Sequence, residues 1–141
     1  MQGLIVGLAG ALVLLATSQQ AGAQTWPARP VKFIVSQAAG GTPDIICRLI
    51  TEKLSRALGQ QVVVENRPGA GNTIGAQAAA RAAPDGYTFF FATAAALVTN
   101  PYTFKSLPYD PARDFVPVSM VASNPFFLLA NPGLSARLFL N

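Results

Sequence analysis

Two strand-sized apolar runs, each followed by a glycine loop and then a helix-periodic segment, constrain this chain more than any other feature. Val31-Lys32-Phe33-Ile34-Val35 is rich in β-branched residues and bounded by Pro30 and Gly40-Gly41, which predicts a mostly buried strand. Thr42-Pro43-Asp44 predicts a helix start, with Thr at the N-cap, Pro at the first helical position and an acid in the first turn. Ile46, Leu49, Ile50, Leu54 and Leu58 recur at three- and four-residue spacing, one apolar face, and Gly59 is placed to end the helix. A second strand follows over residues 61–65, then a loop from Asn66 to Asn72, an Ala-rich helix over about 73–83, a Pro84-Asp85-Gly86 turn and a third strand over 87–92. Strand, helix, strand, helix, strand in this order implies right-handed crossovers, hence an α/β fold with a parallel sheet and helices on both faces. Past residue 93 the chain reads as loop-rich, with two further strand candidates at 116–122 and 126–130 and an element begun over 135–141.

Composition narrows the chemistry. The chain has no histidine and one cysteine, which removes Ser-His-Asp and Cys-His catalysis and the commonest zinc ligands. Of six carboxylates only Asp110 and Asp114 lie close together, and Asp110-Pro111-Ala112-Arg113-Asp114 reads as turn chemistry. No acid–base pair stands out, so the expectation is a protein that is not an enzyme and holds no metal. Cys47, in an apolar helical stretch, reads as a small core residue. The ten basic residues form no run, so nucleic-acid binding is not expected, and the net charge of +4 implies at most a preference for anions.

That preference has a place to act. Both glycine loops join a strand to a helix N-terminus, where backbone N–H groups and the helix dipole favour a negative group. In a parallel sheet both loops emerge at the carboxyl edge, the ligand edge of open α/β folds. Turn-making alone remains the alternative for either loop. A dinucleotide site fits less well: Gly69-Ala70-Gly71-Asn72-Thr73-Ile74-Gly75 is one residue too long, and Ala92-Thr93-Ala94 stands where an acid is wanted, so no cofactor is expected.

No charged residue precedes Arg29. Residues 3–16 are a fourteen-residue apolar run, shorter than a membrane span, followed by a polar stretch and Ala21-Gly22-Ala23, a small-x-small cleavage pattern. Residues 1–23 therefore read as a signal peptide cut after Ala23, although Met1-Gln2 lacks the usual positive charge. The remainder is long enough for one domain, with no direct membrane insertion expected after cleavage.

Trp26-Pro27-Ala28-Arg29-Pro30-Val31, Ala39-Gly40-Gly41 with Asp44, and Leu58-Gly59-Gln60 begin a longer series of motifs. Val64-Glu65-Asn66-Arg67-Pro68-Gly69-Ala70-Gly71, Pro84-Asp85-Gly86-Tyr87-Thr88, Asn100-Pro101, Leu107-Pro108-Tyr109-Asp110-Pro111 and Asp114-Phe115 continue it. Together, from about Trp26 to Asn131, they resemble the substrate-binding proteins of tripartite tricarboxylate transporters, the Bug-type periplasmic receptors. The resemblance implies a type II periplasmic-binding-protein-like architecture whose two lobes close on a small carboxylate and present it to a membrane permease. It implies ligand contacts from Ala39, Gly40 and Gly41, with Asp44 orienting water or a ligand amine, or else only stabilising the helix start. Asn66, Gly69 and Gly71 would shape the neighbouring wall, Thr93 would lie at the mouth of the third strand, and Arg67 would face the anion or brace its loop. Ser36-Gln37, Cys47 and Asn72 depart from the usual family pattern. So does the length: residues 24–104 would be the first segment of lobe 1, and 105–141 a hinge with the start of a truncated lobe 2. The expected function is a carboxylate receptor present as a fragment. The alternatives are a small stand-alone binding module or the product of an interrupted gene.

Overall fold

A computed structural model of the chain describes residues 25–123 and Leu129. The expected signal peptide, most of the 126–130 strand candidate and the 135–141 segment lie outside the described residues.

The strands form where the β-branched runs predict them. β1 (Val31–Val35), β2 (Val62–Asn66) and β3 (Thr88–Phe91) make a parallel sheet in the order β2-β1-β3. Val31 pairs with Val62 and Val35 with Asn66 on one side, while Phe33 pairs with Phe89 on the other. The connection from β1 to β2 runs through α1 (Thr42–Leu58), and that from β2 to β3 through α2 (Thr73–Ala80). Because the two crossovers travel in opposite directions from β2-β1-β3 and both turn right-handed, α1 and α2 cover opposite faces. The expected α/β architecture of sheet and flanking helices is what the chain adopts.

Period-two alternation sorts the side chains. Val31, Val35 and Val62 are buried on the α1 face, where register partners Phe33 and Phe89 stack at 5.1 Å. On the α2 face, Phe90 packs against a buried cluster of Ala76, Ala96 and Tyr109, joined by Leu107 and Phe115. Burying each valine fully contributes about 1.5–3 kcal/mol. The amino-terminal edge is pinned separately: Arg29 pairs with Asp85 at 2.7 Å and lies 3.9 Å over the Tyr87 ring.

Several boundaries differ from the sequence expectations, each for a local reason. Gly41, not Thr42, is the N-cap of α1, and no side-chain cap bond is made there. Asp44, three residues into the helix, instead reaches back to the Gly40 N–H at 2.8 Å and fastens the helix start to the preceding loop. The buried stripe of α1 is Asp44, Cys47 and Thr51, so Leu49, expected on the apolar face, is 60% exposed. Polar Asp44 and Thr51 displaced it because both find internal partners, Thr51 through the Arg48 carbonyl at 3.1 Å. The second strand is shifted one residue, to Val62–Asn66, and the third is trimmed at both ends to Thr88–Phe91. The second helix stops at Ala80, short of 83, tightening through an Ala82 N–H to Ala79 carbonyl bond before Pro84.

Beyond β3 the expected loop is helical. A π-helical turn (Ala95–Thr99) runs directly into α3 (Asn100–Thr103). Residues 110–114 form the expected turn: Asp110 accepts from Ala112 and Arg113 N–H groups, and Asp114 accepts from the Asp110 N–H at 2.7 Å. The strand expected at 116–122 is absent: this stretch has no ladder partner among the described residues, and Val116, Val118 and Met120 are exposed. Apolar β-branched residues do not make a strand without a neighbour to receive their hydrogen bonds.

Candidate functional site

All three strands point the same way, so the segments after β1, β2 and β3 share the carboxyl edge. Loop 1 (residues 36–41) leads into α1, loop 2 (residues 67–72) into α2, and Thr93 follows β3 by two residues. Ala39, Gly40, Gly69 and Gly71 are exposed there, and Gly41 is half-buried.

A polar knot beneath loop 1 ties that loop to the end of β2, from which loop 2 departs. The Asp44 carboxylate is 3% exposed. One oxygen accepts from Asn66 Nδ2 at 2.8 Å, the other from the Gly40 N–H at 2.8 Å, and Arg48 Nε approaches both, at 3.1 and 3.0 Å. Asn66 Nδ2 also donates to the Gln37 carbonyl at 3.1 Å, and its Oδ1 accepts from Arg48 Nη2 at 3.0 Å. The Arg67 N–H donates to the Val35 carbonyl at 2.8 Å, extending the β1–β2 ladder to the start of loop 2. Hydrogen bonds from Arg48 and then from the Gly40 N–H hold the Asp44 carboxyl well below the usual range, at about 2. Asp44 is thus ionised and fully engaged by the protein.

The predicted site residues fall into three groups. Gly40, Asp44 and Asn66 are joined by direct hydrogen bonds, with Ala39 and Gly41 on the loop they brace. The Gly40 N–H is taken by Asp44, and the Gly41 N–H donates to the Ala38 carbonyl at 3.2 Å. Gly69 and Gly71 belong to a turn of their own, closed by an Asn72 N–H to Gly69 carbonyl bond at 3.0 Å. Gly71 has φ of 63°, a conformation that costs a side-chain-bearing residue strain, and the Phe104 ring would stand 3.0 Å from any Cβ added there. Thr93 lies on the same edge, where its hydroxyl accepts from the Ala96 N–H at 3.5 Å. Arg67 pairs with Glu65, on the side of a shallow depression of about 380 Å³ that also takes in Lys32, Gln77 and Arg81 on the α2 face.

Three residues that organise the edge were missed by sequence reasoning. Arg48 could have been found from its i,i+4 spacing to Asp44. Gly75 was weighed only within a dinucleotide fingerprint; its place is the closest approach of α2 to the sheet, where a Cβ would stand 2.7 Å from Ser36 Cα and 2.9 Å from the Arg67 carbonyl oxygen. Asn100, whose side chain donates to the Gly71 carbonyl at 2.7 Å, was present only within the Asn100-Pro101 motif, with no role attached to it. Among the described residues no three His, Cys, Asp or Glu side chains come together as a metal site, and no helix is long and apolar enough to cross a membrane.

What such an edge can do is present backbone and small side chains to a small ligand. Comparison with known proteins gives this a context. The family model described as "Tripartite tricarboxylate transporter family receptor" matches residues 46–138. A UPF0065 protein of Bordetella bronchiseptica is 51% identical over 128 residues, covering 87% of this chain and 38% of that protein. The structure of the periplasmic binding protein BugD superposes with a TM-score of 0.52 at 43% identity, over 64% of this chain and 30% of that one. MatC from Rhodopseudomonas palustris, solved with bound malate, gives a TM-score of 0.62 at 37% identity, over 68% and 33%. The chain therefore spans between 30% and 38% of the length of these relatives.

Proposed function

The chain belongs to the tripartite tricarboxylate transporter receptor family, and on that premise we propose that it supplies one lobe's ligand edge to a receptor that captures a small carboxylate and hands it to a membrane permease. The observation that carries the reading is the pair of glycine loops on one carboxyl edge, with loop 1 tied by the Asp44–Asn66–Arg48 knot to the end of β2, where loop 2 begins. Two loops held in fixed register present a rigid surface, so little ordering entropy opposes ligand capture. The malate in the related MatC structure supports a dicarboxylate as the ligand class.

In this reading Ala39, Gly40, Gly41, Gly69 and Gly71 line the ligand, Thr93 closes one side, and Asp44 and Asn66 hold the loops rather than touch the anion. Ionised Asp44 would repel a bare carboxylate, and its engagement by Arg48 offsets that charge. Residues 24–104 would form the first segment of lobe 1, and 105–141 the hinge and the start of lobe 2, a reading supported by Tyr109 and Phe115, which pack on the core of the first segment. In the same reading residues 1–23 direct export to the periplasm and are cut off after Ala23. The function is binding and delivery, without catalysis.

Calorimetric titration of the chain with malate, succinate and the neutral diamide of malate tests this. Saturable binding of the diacids and none of the diamide is expected. Equal affinity for the diamide, or no binding of any diacid, would contradict capture by this edge.

A further inference from the structure

Loop 2 holds four successive residues at positive φ, Gly69 at 123° and then three in the left-handed region: Ala70 at 46°, Gly71 at 63° and Asn72 at 75°. Left-handed backbone disfavours a residue bearing a Cβ by a factor of roughly five to thirty, and alanine, unlike asparagine, has no polar side chain to offset it. Such strain persists only where surrounding structure over-determines the conformation. Two buried side chains do so here. Thr73, 7% exposed, donates from its hydroxyl to the Ala70 carbonyl at 2.9 Å. Asn100, 5% exposed, donates from Nδ2 to the Gly71 carbonyl at 2.7 Å, reaching back from the start of α3.

Asn100 is itself held. Its amide lies 3.4 Å from the Tyr109 hydroxyl, which donates to the Ala96 carbonyl at 2.6 Å. Tyr109 sits in the apolar cluster on the α2 face, edge-on to Phe115 at 6.0 Å. A chain of contacts thus runs from the core, through one asparagine amide, to the middle carbonyl of the strained turn.

We propose that Asn100 is a positioning residue for the ligand-facing loop: its amide, fixed by Tyr109, holds the left-handed turn that presents Gly69 and Gly71 at the carboxyl edge. The inference rests on the reading that loop 2 faces the ligand. The chemistry required of position 100 is specific. A neutral donor meets the Gly71 carbonyl, whereas a carboxylate would set one acceptor against another.

Backbone amide hydrogen exchange, followed by NMR on the full chain, separates this from a packing role. The reporters are the Asn72 N–H, bonded to the Gly69 carbonyl, and the Arg67 N–H, bonded to the Val35 carbonyl in the sheet ladder. Asn100→Asp and Asn100→Leu should each speed Asn72 exchange about fivefold or more, the loss of one net hydrogen bond, with Arg67 changing less than about twofold. Tyr109→Phe should give a smaller change of the same pattern. Adding Ala70→Gly to either Asn100 variant should restore most of the protection, because glycine takes positive φ without steric cost. Equal acceleration at Arg67, no rescue by Ala70→Gly, or an Asn72 amide already unprotected in the unmodified chain would each overturn the proposal. Malate titration of the same samples judges the other reading separately. If malate fails to bind the unmodified chain, the receptor reading falls while the exchange data still decide the turn. If malate binds and Asn100→Asp leaves its Kd within twofold, Asn100 is not positioning the ligand loop.

Discussion

Replacing Asp44 by Asn removes the charge at the centre of the polar knot while keeping its shape. The structure sets the size of the effect. The carboxyl titrates at about 2 against an ordinary 3.8, because Arg48 and the Gly40 N–H hydrogen-bond its ionised form. A shift of that size corresponds to about 2 kcal/mol of folding stability at neutral pH. The sign follows from the direction of the shift. A lowered folded-state pKa contributes stability that is complete above about pH 4 and is lost as the pH falls through about 2. Asp44→Asn should therefore unfold in urea with a stability about 2 kcal/mol lower at pH 7, and the gap should shrink to about half a kcal/mol at pH 2. Arg48, 53% exposed, can return to water when its partner is lost, so little further penalty is expected from it. A variant within about half a kcal/mol of the parent at pH 7, or a gap that persists undiminished at pH 2, would refute the knot as a stabilising element.

Three further outcomes follow from the packing and the charges. Gly75→Ala places a Cβ 2.7 Å from the Ser36 backbone, so α2 must shift, at a cost of about 1–3 kcal/mol and a Tm drop on the order of 5–15 °C; an unchanged Tm would contradict the close approach. Burial pushes the Cys47 thiol up to about 11, so its thiolate population at pH 8 is roughly a hundredfold below that of a free cysteine, and iodoacetamide labelling scored by mass spectrometry should be slow until urea is added. Equal labelling rates with and without urea would rule that burial out. Lys32→Ala removes a 2.8 Å pair to Glu65 between partly solvated side chains and should cost less than about 1 kcal/mol by urea unfolding, a loss above about 2 kcal/mol being the contrary result.

The parts of the fold legible from sequence were those written in short-range patterns. Val31 to Val35, the Val62-Val63-Val64 run and the Phe89-Phe90-Phe91 run each carry β-branched or aromatic residues between turn residues, and all three became strands. Glycine spacing placed both loops on one edge because parallel strands leave no other choice. What escaped depended on contacts distant in sequence. The apolar face of α1 was misjudged at Leu49 because periodicity cannot see that Asp44 and Thr51 have internal partners. The helical turns after β3 were missed because Ala95 to Thr103 hold their place through Asn100 and Tyr109, which meet loop 2 and the core from downstream. At 116–122 the residue types suggested a strand, but a strand also needs a neighbour, and none pairs with it among the described residues.

A carboxylate should meet this chain at the loop 1 and loop 2 edge. Two-dimensional NMR of the ¹⁵N-labelled chain during a malate titration tests it residue by residue. Saturable shifts concentrated at the amides of residues 39–41 and 69–71 are predicted, with the β1 amides nearly still. Shifts centred instead on Lys32 and Arg81, at the basic depression on the α2 face, or none that saturate, would contradict it.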